Sequence, residues 1–299
     1  MAPGTITTIK RISATPQKFS ILIPSWNNLP YLKLCIESIR KNSHFQNQVI
    51  VHVNEGVDGT LDWLAVQPDI SYTHSPQNIG VCYALNVTRD IVTTDYILYM
   101  NDDMYACPSW DLELWKEIEQ IGHNLFFLSA TTIEPAKPHK AVINAGFGTS
   151  IQNFEETRLL STFNEPEHND WQGSTWPPNV VHKQVWDLVG GYSTEFSPGM
   201  YSDPDFSMKL WKAGVRLFKG VAASRVYHFG SVSVNRVKRN KGYYTFIAKW
   251  GMTSSTFTKY YLHRSDQFTG PLAEPALSAF IKMKNTFKRL SLLFSYNNY

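Results

Sequence analysis

Asp102 and Asp103 are adjacent carboxylates that follow the apolar run Tyr96–Met100 by way of Asn101. Like charges this close repel unless a cation lies between them, and hard oxygen donors suit Mg2+ or Mn2+. Such an ion on Asp103, assisted by Asp102, would hold the phosphates of a nucleotide. Glycine-loop amides would not hold them, because the chain has no G-x-G-x-x-G and no Walker loop. H-E-x-x-H and G-x-S-x-G are absent too. A solvated turn is the alternative, since Asn and Asp are common turn formers. Further on, Asp203 precedes Pro204 in S-D-P-D-F-S-M-K-L-W-K-A-G and reads as a helix N-cap, with Gly214 closing the helix. Asp205 then suits the positive end of that helix. His228 is a lone histidine after a strand-like segment, where a structural role is common. Trp171 and Trp176 lie in the polar stretch N-D-W-Q-G-S-T-W-P-P, a setting that favours a sugar-stacking platform over a core position.

The elements that position these residues are legible in part. Tyr96–Met100 has the composition of a buried parallel strand, and open α/β sheets bind ligands at the carboxyl ends of such strands. Three strand-helix units lead up to it. Phe19–Pro24 is the first strand, and the helix from near Pro30 lines up Leu32, Cys35, Ile36 and Ile39 on one face. Gln48–Val53 is the second strand, followed by a polar loop and a short helix over Leu61–Val66. Ser71–His74 is the third, with a helix after Asn78-Ile79-Gly80-Val81. Beyond the acid pair, Pro108 and Ser109 open a helix, and Leu125–Ala130 and Ala141–Thr149 read as strands. Residues 150–179 show no periodicity. His182–Val189 is a short helix, and Val215–Phe218 and Arg225–Tyr227 are two separate short strands. This is an α/β protein with a nucleotide-binding type of first half.

The 299 residues are 43% hydrophobic and 18% charged, enough for a full α/β core. No apolar run approaches the ~20 residues of a membrane span, and Met1–Lys18 lacks a secretory signal's apolar centre. Cys35, Cys82 and Cys107 are an odd count with no C-x-x-C spacing, which suits reduced thiols in the cytoplasm. Charge is uneven: residues 236–299 hold 11 Lys/Arg against 2 Asp/Glu, and the first 235 hold 17 against 23. Residues 276–295 mix Leu, Ile and Phe with four Lys/Arg and no acid, predicting a helix that packs on the body or rests on an anionic membrane surface.

Seven segments, in this order, resemble the inverting family-two glycosyltransferases of the GT-A fold: I-P-S-W-N-N, V-N-E-G-V-D-G-T, N-I-G-V-C-Y-A-L-N, Y-M-N-D-D-M, V-G-G-Y, S-D-P-D-F-S-M-K-L and Y-H-F-G-S. They run from about residue 19 to 231. The resemblance implies a single GT-A domain over 18–235, with a Rossmann-like half and a mostly parallel mixed sheet flanked by helices. Residues 18–107 would bind the nucleotide sugar and 108–235 the acceptor. Residues 1–17 would form a tail and 236–299 a basic, helical C-terminal extension. Pro24, Ser25 and Trp26 would line the nucleoside pocket, Asn54 and Glu55 would contact the base, and Asn78 and Gly80 would approach the nucleotide. Asn101-Asp102-Asp103 falls on the D-x-D motif, with Asp103 as metal ligand for Mn2+ or Mg2+ and His228 completing the site. Asp203 falls on the catalytic base. Asn54 and Asn101 replace acids of the pattern, the loop after Asn54 is about one residue short, and Ser202 stands where an acid often precedes the base.

The implied activity is transfer of a sugar from a nucleoside diphosphate donor to an acceptor hydroxyl of a glycan, a lipid-linked sugar or another alcohol, with no nucleic acid partner. A nucleotidyltransferase or a sugar-nucleotide-binding module without activity are the alternatives. Trp26-Asn27-Asn28 lacks the glycine-rich basic loop expected of the former.

Overall fold

The computed structural model describes residues 5–135, 139–230 and 240–295. Chain order is β1 (Thr7–Ile9), β2 (Phe19–Trp26), α1 (Leu29–Asn42), β3 (Gln48–Asn54), α2 (Thr60–Ala65), β4 (Ile70–Ser75), α3 (Gly80–Arg89), β5 (Tyr96–Tyr99), β6 (Met104–Ala106) and α4 (Trp110–Ile121). There follow β7 (Phe126–Glu134), β8 (Val142–Asn144), α5 (Glu156–Thr162), β9 (Trp171–Gln172), β10 (Asn179–His182), α6 (Lys183–Val189), α7 (Ser202–Lys212) and β11 (Leu217–His228). The last elements are α8 (Gly242–Trp250), α9 (Ser254–Thr256) and α10 (Ala279–Ser295).

One mixed sheet runs in the order β1-β4-β3-β2-β5-β10-β7-β11-β6, with β8 on β7 and β9 on β11. Strands β4, β3, β2 and β5 are parallel, while β10 enters antiparallel between β5 and β7. The two-residue period of the strands divides their side chains between two cores. Phe19, Ile21 and Ile23 face α1 and α4 in one, and Leu22 and Ile50 face α3, α6 and α7 in the other. Both faces are therefore covered, which is why the central strands read as continuous apolar runs.

Several expectations are corrected. Within residues 1–17, expected as a tail, Thr7–Ile9 form β1, which pairs antiparallel with β4. Residues 150–179 contain α5, whose short amphipathic run is masked by polar flanks. The two strands expected over 215–227 are one, β11; its register slips between Val221 and Arg225, and that bulge breaks the alternation in sequence. The expected C-terminal helices are present and pack on the body. Phe246, Phe257, Tyr261 and Leu262 are part of the second core. The expected boundary at 235/236, and Ser231 of the last motif, lie outside the described residues. Among the described residues no helix is long and apolar enough to cross a membrane.

Candidate active site

Strand order reverses between β2 and β5, so their carboxyl ends flank a crevice, the usual ligand position in open α/β sheets. A cavity of about 1000 Å³ opens there. One wall is Pro24, Ser25 and Trp26 from the end of β2, Asn54 from β3, Asn78 before α3 and Gly80 at its start, and Asn101, Asp102 and Asp103 after β5. The rest of the lining includes Trp176, Asp203 and His228.

The acids are held in place by register. Asp102 is buried and accepts a hydrogen bond from Ser25 Oγ at 2.7 Å. Asp103 is 3% exposed. Antiparallel pairing of β6 with β11 sets His228 opposite Met104, and Phe229 N–H donates to the Asp103 carbonyl at 3.2 Å. His228 Nε2 thus faces Asp103 Oδ1 at 3.6 Å, while its Nδ1 lies 2.6 Å from Glu134 Oε2 at the end of β7. Burial alone would lower the pKa of His228, but hydrogen bonds to Asp103 and Glu134 outweigh it and push the value up to about 9.

A carboxylate and an imidazole whose other nitrogen is held by a second carboxylate suit a divalent ion, which would have to displace the proton that Asp103 favours on Nε2. Among the described residues no group of three or more His, Cys, Asp or Glu is gathered to hold one alone. An ion on Asp103 and His228 would therefore take the rest of its shell from substrate oxygens and water, the ordinary arrangement for Mg2+ at phosphates.

Asp203 is not the N-cap. The helix α7 starts at Ser202, Tyr201 occupies the cap position with φ 71°, and no side chain caps the end. Asp203 sits in the first turn and lines the cavity. Desolvation raises its pKa to about 7, with Arg264 opposing. A carboxylate poised near neutrality can take a proton from a hydroxyl at physiological pH. Asp205, expected only to serve the helix dipole, is fully buried and accepts from Trp250 Nε1 at 2.8 Å and Lys249 Nζ at 2.9 Å, tying α7 to α8.

Two expected site residues do not line the cavity. Glu55 Oε2 accepts from Trp26 Nε1 at 2.8 Å and Asn27 Nδ2 at 2.9 Å, which fixes the edge of the tryptophan. Trp171 is 3% exposed, donates to Thr131 Oγ1 at 3.0 Å, and lies against Gly220, where a Cβ would fall 1.8 Å from the ring. It is a core residue, and Gln172, Ser174 and Thr175, polar neighbours in sequence, are buried as well. Asn54 lines the cavity, but its amide bridges the Ser25 carbonyl and the Ile79 N–H at 3.4 and 2.8 Å. Gly80, at φ 77°, allows Pro198 to approach: a Cβ there would fall 2.6 Å from Pro198 Cα.

Sequence reading missed Glu134, Tyr99 and Arg264, which also line the cavity. Glu134 lies beyond the expected strand Leu125–Ala130, at the end of the longer β7, and carries no motif, and Arg264 lies in a region without one.

The model of glycosyl transferase family 2 matches residues 20–171, just over half of the chain. The chain belongs to glycosyl transferase family 2. The match covers the first wall of the cavity, and Asp203, His228 and Arg264 lie beyond it. The uncharacterized glycosyltransferase YwdF of Bacillus subtilis (strain 168) is 22% identical over 222 residues, 73% of this family 2 chain and 77% of that protein. A crystal structure of S. aureus TarS 1-349 in complex with UDP superposes with a TM-score of 0.57 at 14% identity, covering 94% of this chain and 74% of that one. GalNAc-T7 with UDP, GalNAc and Mn2+ gives 0.54 at 13% identity, over 77% of this chain and 45% of that one. At such identities the likeness is one of fold, and the expected GT-A architecture is borne out.

Proposed function

We propose that this glycosyltransferase is metal-dependent and inverting, moving a sugar from a nucleoside diphosphate to an acceptor hydroxyl. The observation that carries this is one cavity faced by both the Asp103–His228 pair and Asp203, a carboxylate raised to about 7. Pro24, Ser25 and Trp26 line the nucleoside end, with Glu55 holding the tryptophan in position. Mn2+ or Mg2+ on Asp103 and His228 neutralises charge on the diphosphate when bound. Asp203 takes the proton of the acceptor hydroxyl as its oxygen bonds to the anomeric carbon and the bond to the diphosphate oxygen breaks. Attack from the side opposite the leaving group inverts the anomeric centre. Trp176 offers a face for the acceptor sugar.

Family membership sets aside the nucleotidyltransferase alternative. A thermal-shift screen of nucleoside diphosphates and sugar nucleotides with Mn2+ tests the binding half of this reading, because a ligand that binds the native state raises its stability. UDP, present in the TarS and GalNAc-T7 crystals, is the first nucleotide to try. A rise in melting temperature that needs both nucleotide and metal supports it, and no response to any nucleotide counts against it. Transfer assays then separate an enzyme from a binding module.

Helix α10 supports peripheral contact with an anionic membrane, at the cytoplasmic face. Asn285 and Leu292 are buried on its inner side. Phe280, Met283, Phe287 and Leu290 form a row on another side, each more than half exposed. Lys282, Lys284, Lys288 and Arg289 are interspersed with no acid in the helix, which complements anionic headgroups. Flotation with anionic but not neutral liposomes is expected. Equal recovery with both, or none, removes this contact.

A further inference from the structure

Beyond Asp203 the cavity wall comes from the C-terminal region, where Arg264 joins Ser254, Ser255 and Thr258. The Arg264 guanidinium stacks on Trp176, 4.4 Å from the ring centroid. Its charge is felt by both Asp203 and His139, and His139 itself packs beside Trp176 at 5.5 Å. Among the described residues, none accepts a hydrogen bond from the guanidinium or forms an ion pair with it. The backbone, by contrast, is clamped. Arg264 N–H donates to the Thr258 carbonyl at 3.0 Å and Ser265 N–H to the Gln172 carbonyl at 2.9 Å. The flanking residues His263 and Ser265 take φ 49° and 76°, a left-handed conformation uncommon outside glycine. Gly173 makes the close approach possible, since a Cβ there would fall 2.7 Å from Arg264 Cα. Such conformations persist only where the surroundings enforce them, and they gather at ligand sites.

Arginine presents its donors in a rigid fork that matches the oxygens of phosphate or carboxylate. With no protein acceptor among the described residues, those donors face the cavity, where a ligand oxyanion can accept charge-assisted hydrogen bonds from them. We propose that Arg264 anchors an oxyanion subsite that receives a phosphate or carboxylate of the acceptor, close to the hydroxyl that Asp203 deprotonates. This rests on the transferase reading above. The donor diphosphate is the other oxyanion available, but its acids and metal ligands are Asp102, Asp103 and His228. The neighbours of Arg264 are instead Trp176, His139 and Asp203. The acceptor is then a phosphorylated or acidic sugar or polyol, and Arg264 selects it.

The test titrates matched probes into the full chain by calorimetry: glucose 6-phosphate against glucose, glycerol 3-phosphate against glycerol, and UDP with Mn2+ separately. The wild type is expected to bind each phosphorylated probe on the order of 10-fold or more tightly than its neutral partner at low salt. Arg264→Gln should abolish that preference, and Arg264→Lys, with the charge but not the fork, should keep part of it. UDP affinity should be the same in all three. A wild type that binds the members of each pair equally, or binds neither, overturns the subsite. So does an Arg264→Gln protein that keeps the preference, or one that loses UDP binding, which would assign the guanidinium to the donor. Failure of every nucleoside diphosphate, UDP included, to bind the wild type with Mn2+ counts against the proposed donor site instead. If circular dichroism shows Arg264→Gln unfolded, Arg264→Lys and salt decide: the wild-type preference must collapse toward ~0.5 M ionic strength.

Discussion

Replacing Asp203 with Asn separates chemistry from folding. The carboxylate sits at pKa about 7 because burial disfavours its charge, and Arg264 only partly offsets this. Tyr99, Tyr192 and Cys82 also face it, and each is itself pushed upward by burial first and by Asp203 among the charges, so all three stay protonated near neutrality. The unfolded carboxyl titrates near 3.8, so between that value and about 7 the folded state holds the extra proton. Stability therefore falls as pH rises across this window. Full displacement is worth about 4 kcal/mol, a ceiling because the carboxylate lines an open cavity. Asn carries no charge and loses no cap bond, since Tyr201 holds the cap position. Asp203→Asn should thus melt several degrees higher than wild type at pH 8, with the gain fading toward pH 4. Transfer should fall by ~10²–10⁴-fold, the usual contribution of a general base. Wild-type kcat/KM should climb with pH through about 7, and the variant should lose that rise. Calorimetry gives the melting temperatures, and release of nucleoside diphosphate gives the rates. A variant with near-normal transfer, or a wild-type profile flat across pH 7, would refute the assignment.

Other substitutions discriminate structural from functional roles. Trp171→Ala should destabilise by ~3–5 kcal/mol, as expected for a buried aromatic, whereas Trp176→Ala should cost about 1 kcal/mol or less and raise the acceptor KM. Asp205→Asn should lower stability by ~1–3 kcal/mol, read by urea unfolding, while activity per folded molecule is kept, because it supports Trp250 and Lys249 outside the cavity. Glu55→Ala should weaken nucleotide binding in a titration by releasing the Trp26 ring, with little change in kcat.

The first half of the fold was legible because its central strands are covered on both faces and its helices carry regular apolar stripes. The acid pair was legible because adjacent carboxylates at a strand end are chemically unusual. What lay hidden was tertiary. Glu134 meets His228 only through the pairing of β7 with β11, and Trp171 is buried only because Gly220 leaves room for it. Arg264 reaches Trp176 and the neighbourhood of Asp203 through a clamped segment that has no periodicity and no motif. Local sequence also misplaced the start of α7, since Asp-Pro after Ser202 is a good capping signal that tertiary packing overrode.

Metal-dependent turnover of a sugar nucleotide is the most direct measurement. Release of nucleoside diphosphate is followed with Mn2+, with chelator, and in Asp103→Asn. The expected result is release by the wild type with Mn2+, loss of it in chelator, and a large loss in Asp103→Asn despite an unchanged circular dichroism spectrum. Release that proceeds equally in chelator, or in Asp103→Asn at the wild-type rate, would contradict a metal-assisted transfer at this site.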